Sequence, residues 1–454
     1  MRLADDDMRS LSPQYLRFRL LVVSADGTYL MTLGNDTPVA LQRFDLRRDA
    51  RFELQMHCFW EQQWSIKSEI IDIIPGSHDG GLVIIRLPYA THRVTPFPFR
   101  RRQFHELKEG ELDSQELDAV LRLREAGETG RGRFSRLRWL EEARTWLSET
   151  LDIPSHSLTL LQHHVSADRT LVNVNGPAGK QYWLKGGTSQ ECKLLEILAQ
   201  EAPDCVPQIV AHCSQQNMVL MEHAGTPLDV RQVITDSDVW KISRQFARLQ
   251  RMSADFAPML RHPLLNLPDT ATLLRSLSQE LPLAVDSLSS RDGLRAAMVT
   301  VQRIQTILSH LENLAPHFSE LGLPEVLVHG DLHSGNILIQ DGKLVFVDWE
   351  YARLGTALEN VEYLALLRPE TRSLNPVLAA YSDVWGNSLT RASIEDAIVL
   401  CRPLTIACRL GRILRRDKSA SPHVLQVTEQ SLRIMTKQLE RSLGEARKVM
   451  SRTH

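Results

Sequence analysis

Cysteine is scarce in this chain and scattered. Cys58, Cys192, Cys205, Cys213, Cys401 and Cys408 fall mostly within apolar stretches, and none share the close spacing of a zinc or redox motif. Such thiols read as buried and reduced, which excludes a disulfide scaffold. Charge of one sign is lacking as well, with 53 Lys and Arg against 55 Asp and Glu. No polybasic run is there to counter a phosphate backbone, so nucleic acid is not an expected partner. No apolar run is long enough to span a bilayer, and residues 1–10 are acidic and polar where a secretory signal would be basic and then apolar. The expectation is a soluble cytoplasmic protein with no membrane partner. At 454 residues it has room for about two or three domains, and no internal repeat is visible.

What is present is concentrated in one segment. Val328-His329-Gly330-Asp331-Leu332-His333-Ser334-Gly335-Asn336-Ile337-Leu338 is followed by Val345-Phe346-Val347-Asp348-Trp349-Glu350. Between Asn336 and Asp348 lie two short apolar runs around Asp341-Gly342, a pair that favours the two-residue turn of a hairpin. If Gln340 and Lys343 flank that turn, Asn336 sits across from Val347, and Asp348 emerges one residue further along at the same open end. One amide oxygen and one carboxylate can then reach one cation. That is a plausible protein share for Mg²⁺, which leaves its other positions to water and phosphate. Asp331, on the loop entering the hairpin, is free to accept a hydroxyl proton, and phosphoryl transfer asks for little else beyond positioning and charge neutralisation.

These residues resemble the catalytic and metal loops of the aminoglycoside phosphotransferase and choline kinase family, whose pattern His-Gly-Asp-x-His-x-Gly-Asn, then a strand and Asp, is matched in full. The resemblance implies Asp331 as catalytic base, Asn336 and Asp348 as Mg²⁺ ligands, and ATP as phosphate donor. Gly330 stands where protein kinases carry an arginine before the catalytic Asp, the residue through which a phosphorylated activation loop orders the site. Its absence favours a small-molecule hydroxyl acceptor over a protein. Asp348-Trp349-Glu350-Tyr351-Ala352 looks like the choline, ethanolamine and thiamine kinase branch. Glu350 would share a face with Asp348 if the chain stays extended. It is then either a carboxylate supporting the metal ligands or facing the acceptor, a setting His333 could share, or a solvated residue at a strand end.

The upstream half of such a site also has candidates. Residues 169–174 and 181–185 read as a hairpin around Asn175-Gly176-Pro177-Ala178-Gly179 and end in Lys185, a cation for the nucleotide phosphates. Six residues on, Glu191 opens an amphipathic helix marked by Leu194, Leu195 and Leu198, and its carboxylate could hold Lys185. Residues 206–210 and 218–225 resemble the family's next two strands and its hinge, which implies adenine contacts from the backbone of Glu222 and Ala224. One departure stands out. The segment expected over the phosphates, His163-His164-Val165-Ser166-Ala167-Asp168-Arg169-Thr170, has no glycine. Ser166 and Thr170 are the hydroxyls it could offer. His163 and His164 read as strand or loop residues, with no third metal ligand spaced to join them.

The expected fold class is α+β. A bilobal protein-kinase-like domain spans 135–454, with a small sheet lobe at about 150–224 and a large helical lobe at about 225–454. Ile242, Phe246 and Leu249; Val301, Ile304, Leu308 and Leu311; and Leu432, Met435 and Leu439 keep helical spacing and read as core. Asn360 falls where the family often has an aspartate, and reads as structural. Before the kinase-like region, 1–130 form a small α+β unit: 16–23, 30–33, 70–74 and 82–87 are strand-like, 114–124 helical, with a turn at His78-Asp79-Gly80-Gly81. Residues 125–133, glycine-rich and charged, read as a linker. A helix with a broad apolar face, from Trp139 to Leu151, follows.

The order of the N-terminal elements looks like a Nudix hydrolase outline in which His57-Cys58-Phe59-Trp60-Glu61-Gln62 takes the place of the catalytic helix. Only Glu61 of the expected carboxylates survives, so the resemblance implies a degenerate, non-catalytic module. Gly110, Glu116, Arg124, Glu125 and Glu128 fall on Nudix spacing by coincidence on a charged helix. The functional expectation is ATP-dependent transfer of a phosphoryl group to a small-molecule hydroxyl. The alternative is a nucleotide-binding regulatory protein, a pseudokinase, which keeps the scaffold and transfers nothing.

Overall fold

The computed structural model describes residues 15–453 apart from 25, 34–40, 48–50, 65–67, 76–80, 88–98, 108–109, 231–232, 264, 290–298, 315, 318–324, 369–372, 387–390 and 417–421. The expected turn at His78-Asp79-Gly80 lies outside the described residues. The chain divides into two compact units. Most of the first is residues 1–187 with 211–221, and most of the second is 188–210 with 222–418.

The first unit begins with a six-stranded sheet in the order β4-β5-β1-β2-β6, with β3 also pairing β1. Its strands are β1 (Tyr15–Val23), β2 (Leu30–Leu33), β3 (Gln42–Arg47), β4 (Glu69–Pro75), β5 (Gly81–Arg86) and β6 (Phe99–Arg102). The period-two rule sorts β1: Phe18, Leu20 and Val22 enter one apolar cluster, Leu21 and Val23 the other. Met56 and Trp60 of helix α1 (Phe52–Trp64) cover the first face, and Ala119, Val120 and Leu123 of α2 (Ser114–Ala126) cover the second. Covered on both sides, β5 is buried at every residue and pairs parallel with β1. Glu116, one of the acidic residues on Nudix spacing, is fully buried: it ion-pairs with Arg19 and closes the capping box with Asp113.

The stretch read as a linker is fastened down. Gly127 ends α2 in the left-handed conformation, and the Thr129 hydroxyl then donates to the buried Asp72 carboxylate at 2.9 Å while Arg131 donates to the Ile73 carbonyl at 3.1 Å. Glycine there serves turns and close approach. Helix α3 (Trp139–Leu151) follows, stopped by Asp152 at φ 53°. Its Trp139, Leu140, Ala143 and Leu147 pack on Val172, Val174, Leu184, Met218 and Leu220 of a five-stranded sheet ordered β10-β11-β9-β8-β7. That sheet comprises β7 (Thr159–Val165), β8 (Thr170–Asn175), β9 (Gln181–Gly186), β10 (Ile209–Cys213) and β11 (Met218–Glu222). The two sheets therefore share one compact unit.

The second unit is mainly helical. Thr188 caps α4 (Ser189–Glu201) by accepting the Glu191 N–H at 3.1 Å. In α5 (Asp236–Asp255), Ile242, Phe246 and Leu249 are buried as their spacing implies, as are Ile304, Leu308, Leu311, Leu432, Met435 and Leu439 in later helices. Among these helices lie two small sheets. One joins β12 (Thr226–Pro227) to the hairpin β14 (Ile337–Gln340) and β15 (Lys343–Phe346), and the other pairs β13 (Glu325–Val328) with β16 (Arg353–Thr356). No described helix is long and apolar enough to cross a membrane.

Candidate active site

Strand β13 delivers the chain to His329, which is fully buried. Its Nε2 lies 3.0 Å from the Val347 carbonyl, and the Asp331 N–H donates to its Nδ1 at 3.3 Å. Burial holds this imidazole down at about 4, so it is neutral, and the two contacts assign its proton to Nε2. Gly330 turns the chain at φ 78°, where an added Cβ would lie 2.2 Å from the Tyr351 carbonyl oxygen, so only glycine fits.

The loop after Asp331 is wound on Asp331's own backbone. Its carbonyl accepts from His333 N at 3.0 Å and from Asn336 Nδ2 at 2.9 Å. With Nδ2 so committed, Oδ1 of the buried Asn336 is the side-chain atom left to accept or ligate. His333 caps the short turn Ser334–Asn336 by accepting the Gly335 N–H, and its Nε2 lies 3.9 Å from Asp331 Oδ2.

The hairpin pairs Ile337 with Phe346 and Gln340 with Lys343, and Asp341 and Gly342 at φ 51° and 80° make its turn. Val347 N donates to the Asn336 carbonyl at 3.0 Å, so Asn336 and Val347 face one another at the open end. Asp348 follows at φ 68°, half-buried, close enough for its charge to act on His329. This left-handed residue ends the extended run. Glu350 therefore sits in a turn that closes with Ala352 N on the Trp349 carbonyl, and the shared face expected from an extended chain does not form.

Sequence reasoning missed Arg412. From the helix Arg391–Arg416, its guanidinium ion-pairs with the Asp331 carboxylate and donates to the Tyr363 hydroxyl, which in turn donates to the Gly330 carbonyl at 2.9 Å. The same guanidinium stands 5.1 Å over the Tyr351 ring and 5.6 Å from that of Tyr363. Hydroxyl and rings thus hold the Arg412 guanidinium on Oδ1 of Asp331, while His333 lies nearer Oδ2. Nothing in the local spacing of Arg412 marks it.

Also in this unit, Glu191 is buried in the first turn of α4. Glu222 is exposed and donates its N–H to the Gln208 carbonyl, and Ala224 is half-buried beyond it. Gly225, at φ 107°, lies so close to β14 that a Cβ would approach the Ile339 carbonyl oxygen to 2.3 Å. Asn360 is fully buried, with neither side-chain atom hydrogen-bonded.

In the first unit Lys185 pairs across the sheet with Leu171, and Thr170 with Gly186, so Lys185 lies at the end of the sheet that carries the turn 166–169. The two hydroxyls expected there for phosphate are used by the turn itself. Ser166 Oγ donates to the Arg169 carbonyl at 3.3 Å, and the buried Thr170 donates to that of His164 at 3.2 Å. His163 meets the edge of Trp183, and burial with the Arg51 charge lowers its value to about 4. Among the described residues no group of three or more His, Cys, Asp or Glu side chains could hold a metal.

The α+β architecture, with a sheet lobe and a helical lobe bearing this loop and hairpin, is a kinase-like fold. Residues 169–392 match the model of the phosphotransferase enzyme family (APH). Among solved structures, the ethanolamine kinase of Plasmodium vivax is similar with a TM-score of 0.52 at 14% identity, over 75% of this chain and 98% of that one. The choline kinase of Cryptosporidium parvum is similar with a TM-score of 0.50 at 12% identity, over 67% of this chain and 97% of that one. At these identities the likeness is one of fold. No curated protein sequence matches the chain at a significant level.

Proposed function

We propose that the protein is an ATP-dependent phosphotransferase that moves the γ-phosphate to a hydroxyl of a small molecule. The observation that carries this reading is the loop from His329 to Asn336, where the Asp331 N–H on His329 and the His333 N–H and Asn336 Nδ2 on the Asp331 carbonyl fix the backbone beside three groups. Those three are the Asp331 carboxylate, the Asn336 Oδ1 and the Asp348 carboxylate. Asp331 would orient the acceptor hydroxyl and accept its proton as the new oxygen–phosphorus bond forms.

The donor set fits Mg²⁺. One amide oxygen and one carboxylate make a weak site alone and suit a cation whose other ligands are phosphate and water. Asn336 and Asp348 would hold the ion, and when bound it supplies charge neutralisation on the phosphates. Lys185 would serve those phosphates, with Glu191 as its anchor, and the backbone of Glu222 and Ala224 would read the adenine. Ser166 would serve through its turn, since its hydroxyl is already used. His333, 3.9 Å from Asp331, would face the acceptor, and Glu350 would stand behind Asp348.

Gly330 and the similarity to choline and ethanolamine kinases favour a small-molecule acceptor, handled in the cytoplasm without nucleic acid or membrane. Residues 1–130 would be a Nudix-like module without catalysis, in which Glu61 is exposed on α1. The experiment is a screen of hydroxyl compounds for Mg²⁺-dependent ADP release. Release that requires Asp331 supports the reading. The glycine-free turn with its inward-bonded hydroxyls favours a second reading, a nucleotide-binding regulator. Tight ATP binding without turnover across the screen would select that reading.

A further inference from the structure

We propose that the N-terminal sheet domain positions the phosphate-covering turn 166–169, with Glu53 and Gly132 as the positioning residues; this rests on the phosphotransferase reading above. Strand β7 leads into the turn and is an edge strand of its sheet, as β4 is of the N-terminal sheet. Each is irregular where they meet: the ladder of β7 shifts register between Gln162 and His164, and that of β4 between Ile70 and Asp72. The Gln162 amide, 1% exposed, joins the two edges, accepting from Ile70 N at 2.8 Å and donating to Ile70 O at 3.0 Å. Three residues on, Val165 N donates at 3.0 Å to the carboxylate of Glu53 from α1, and the Val165 side chain joins the N-terminal core beside Phe18, Met56 and Trp60.

The outer side of the turn is held just as closely. Phe134 N donates to the Ala167 carbonyl at 3.1 Å. Gly132 lies so near that an added Cβ would come within 2.2 Å of the same Ala167 oxygen and 2.7 Å of Asp168 Oδ1. The segment bearing Gly132 and Phe134 is itself tied to β4 through Thr129 and Arg131 on Asp72. Ser166 N on the Arg169 carbonyl, at 2.9 Å, closes the turn.

A glycine-rich loop reaches phosphate by being free to move, and loses that freedom on binding. Here the turn is ordered by folding, so a segment without glycine can present its backbone to phosphate with little further ordering. The glycine that the turn lacks is found instead in the segment packed against it, at Gly132.

The test uses the full chain. Backbone amide exchange of wild-type residues 163–170 should be as slow as in the core strands. Glu53→Ala, which loses one charge-assisted hydrogen bond to the turn, should speed that exchange and weaken ATP binding, measured by calorimetry, by about tenfold, and Gly132→Ala, which pushes a Cβ against the Ala167 carbonyl, should act in the same direction. The KM for ATP should rise in step, while kcat at saturating ATP and the acceptor KM hold. Glu53→Gln keeps an acceptor for Val165 N and should restore both readouts. Fast exchange of this turn in the wild type would overturn the proposal even if the variants fail to fold. Unchanged ATP affinity in folded variants, or lower stability and rate with an unchanged ATP KM, would overturn it alone. A wild type that never binds ATP would sink the phosphotransferase reading and this proposal together.

Discussion

Replacing Arg412 by Met removes a cation from beside Asp331 while keeping most of the side-chain volume. In the folded protein the Arg412 side chain is 9% exposed and that of Asp331 17%. Removing one partner of a fully buried pair costs about 3–5 kcal/mol, because the other charge is left uncompensated. Asp331 retains some access to water, so a loss of about 2–3 kcal/mol is expected, including the hydrogen bond to Tyr363. The effect on rate comes from lost orientation: with one carboxylate oxygen released, kcat should fall by about 10- to 100-fold. Arg412→Lys keeps the charge but not the planar fork that reaches both Asp331 and Tyr363, and should lie between. Tyr363→Phe removes the hydroxyl linking Arg412 to the Gly330 carbonyl and should cost about 1 kcal/mol. Urea denaturation and initial rates at saturating ATP give the two readouts. An Arg412→Met protein with wild-type midpoint and kcat would refute the idea that this ion pair orients the site.

Other outcomes follow from the same geometry. Gly330→Ala must push a Cβ against the Tyr351 carbonyl at positive φ, so activity should be lost and stability reduced by more than about 1 kcal/mol, measured by thermal unfolding. Asn336→Ala should raise the Mg²⁺ concentration for half-maximal rate by at least about tenfold, since even residues behind metal ligands cost that much; an unchanged Mg²⁺ dependence would remove Asn336 from the ligand set. Burial, with the His163 charge nearby, lowers His57 from 6.5 to about 4. The folded state then binds fewer protons than the unfolded chain between these values, so its contribution is complete above pH 6.5 and is lost as pH falls through about 4. The melting temperature should therefore drop over that window, and less steeply in His57→Gln; identical slopes would contradict this.

Much of the candidate site's backbone geometry in the second unit was legible because it is local. Asp341-Gly342 sets the hairpin register, and the register sets Asn336 opposite Val347 with Asp348 beyond. The apolar stripes of α3, α4 and α5 gave those helices for the same reason: periodicity is a short-range signal. What failed to show involves partners distant in sequence or backbone of unusual conformation. Arg412 reaches Asp331 from a helix far along the chain, where it reads as one more charge on an amphipathic face. The positive φ of Asp348 turned Glu350 away from its expected place. The stretch around Gly127, Gly130 and Gly132 reads as a linker because glycine serves both flexibility and close packing, and only Asp72 and Ala167, its partners in space, reveal which. The four-stranded N-terminal outline lacked β3 and β6, short strands that carry three charged residues each and so little apolar signal.

The most direct measurement is Mg²⁺-dependent ADP release by the wild type and by Asp331→Asn, with ATP binding measured on both. The reading above expects turnover in the wild type that falls by at least about a hundredfold in the variant while ATP still binds. Equal turnover in the two proteins would contradict it.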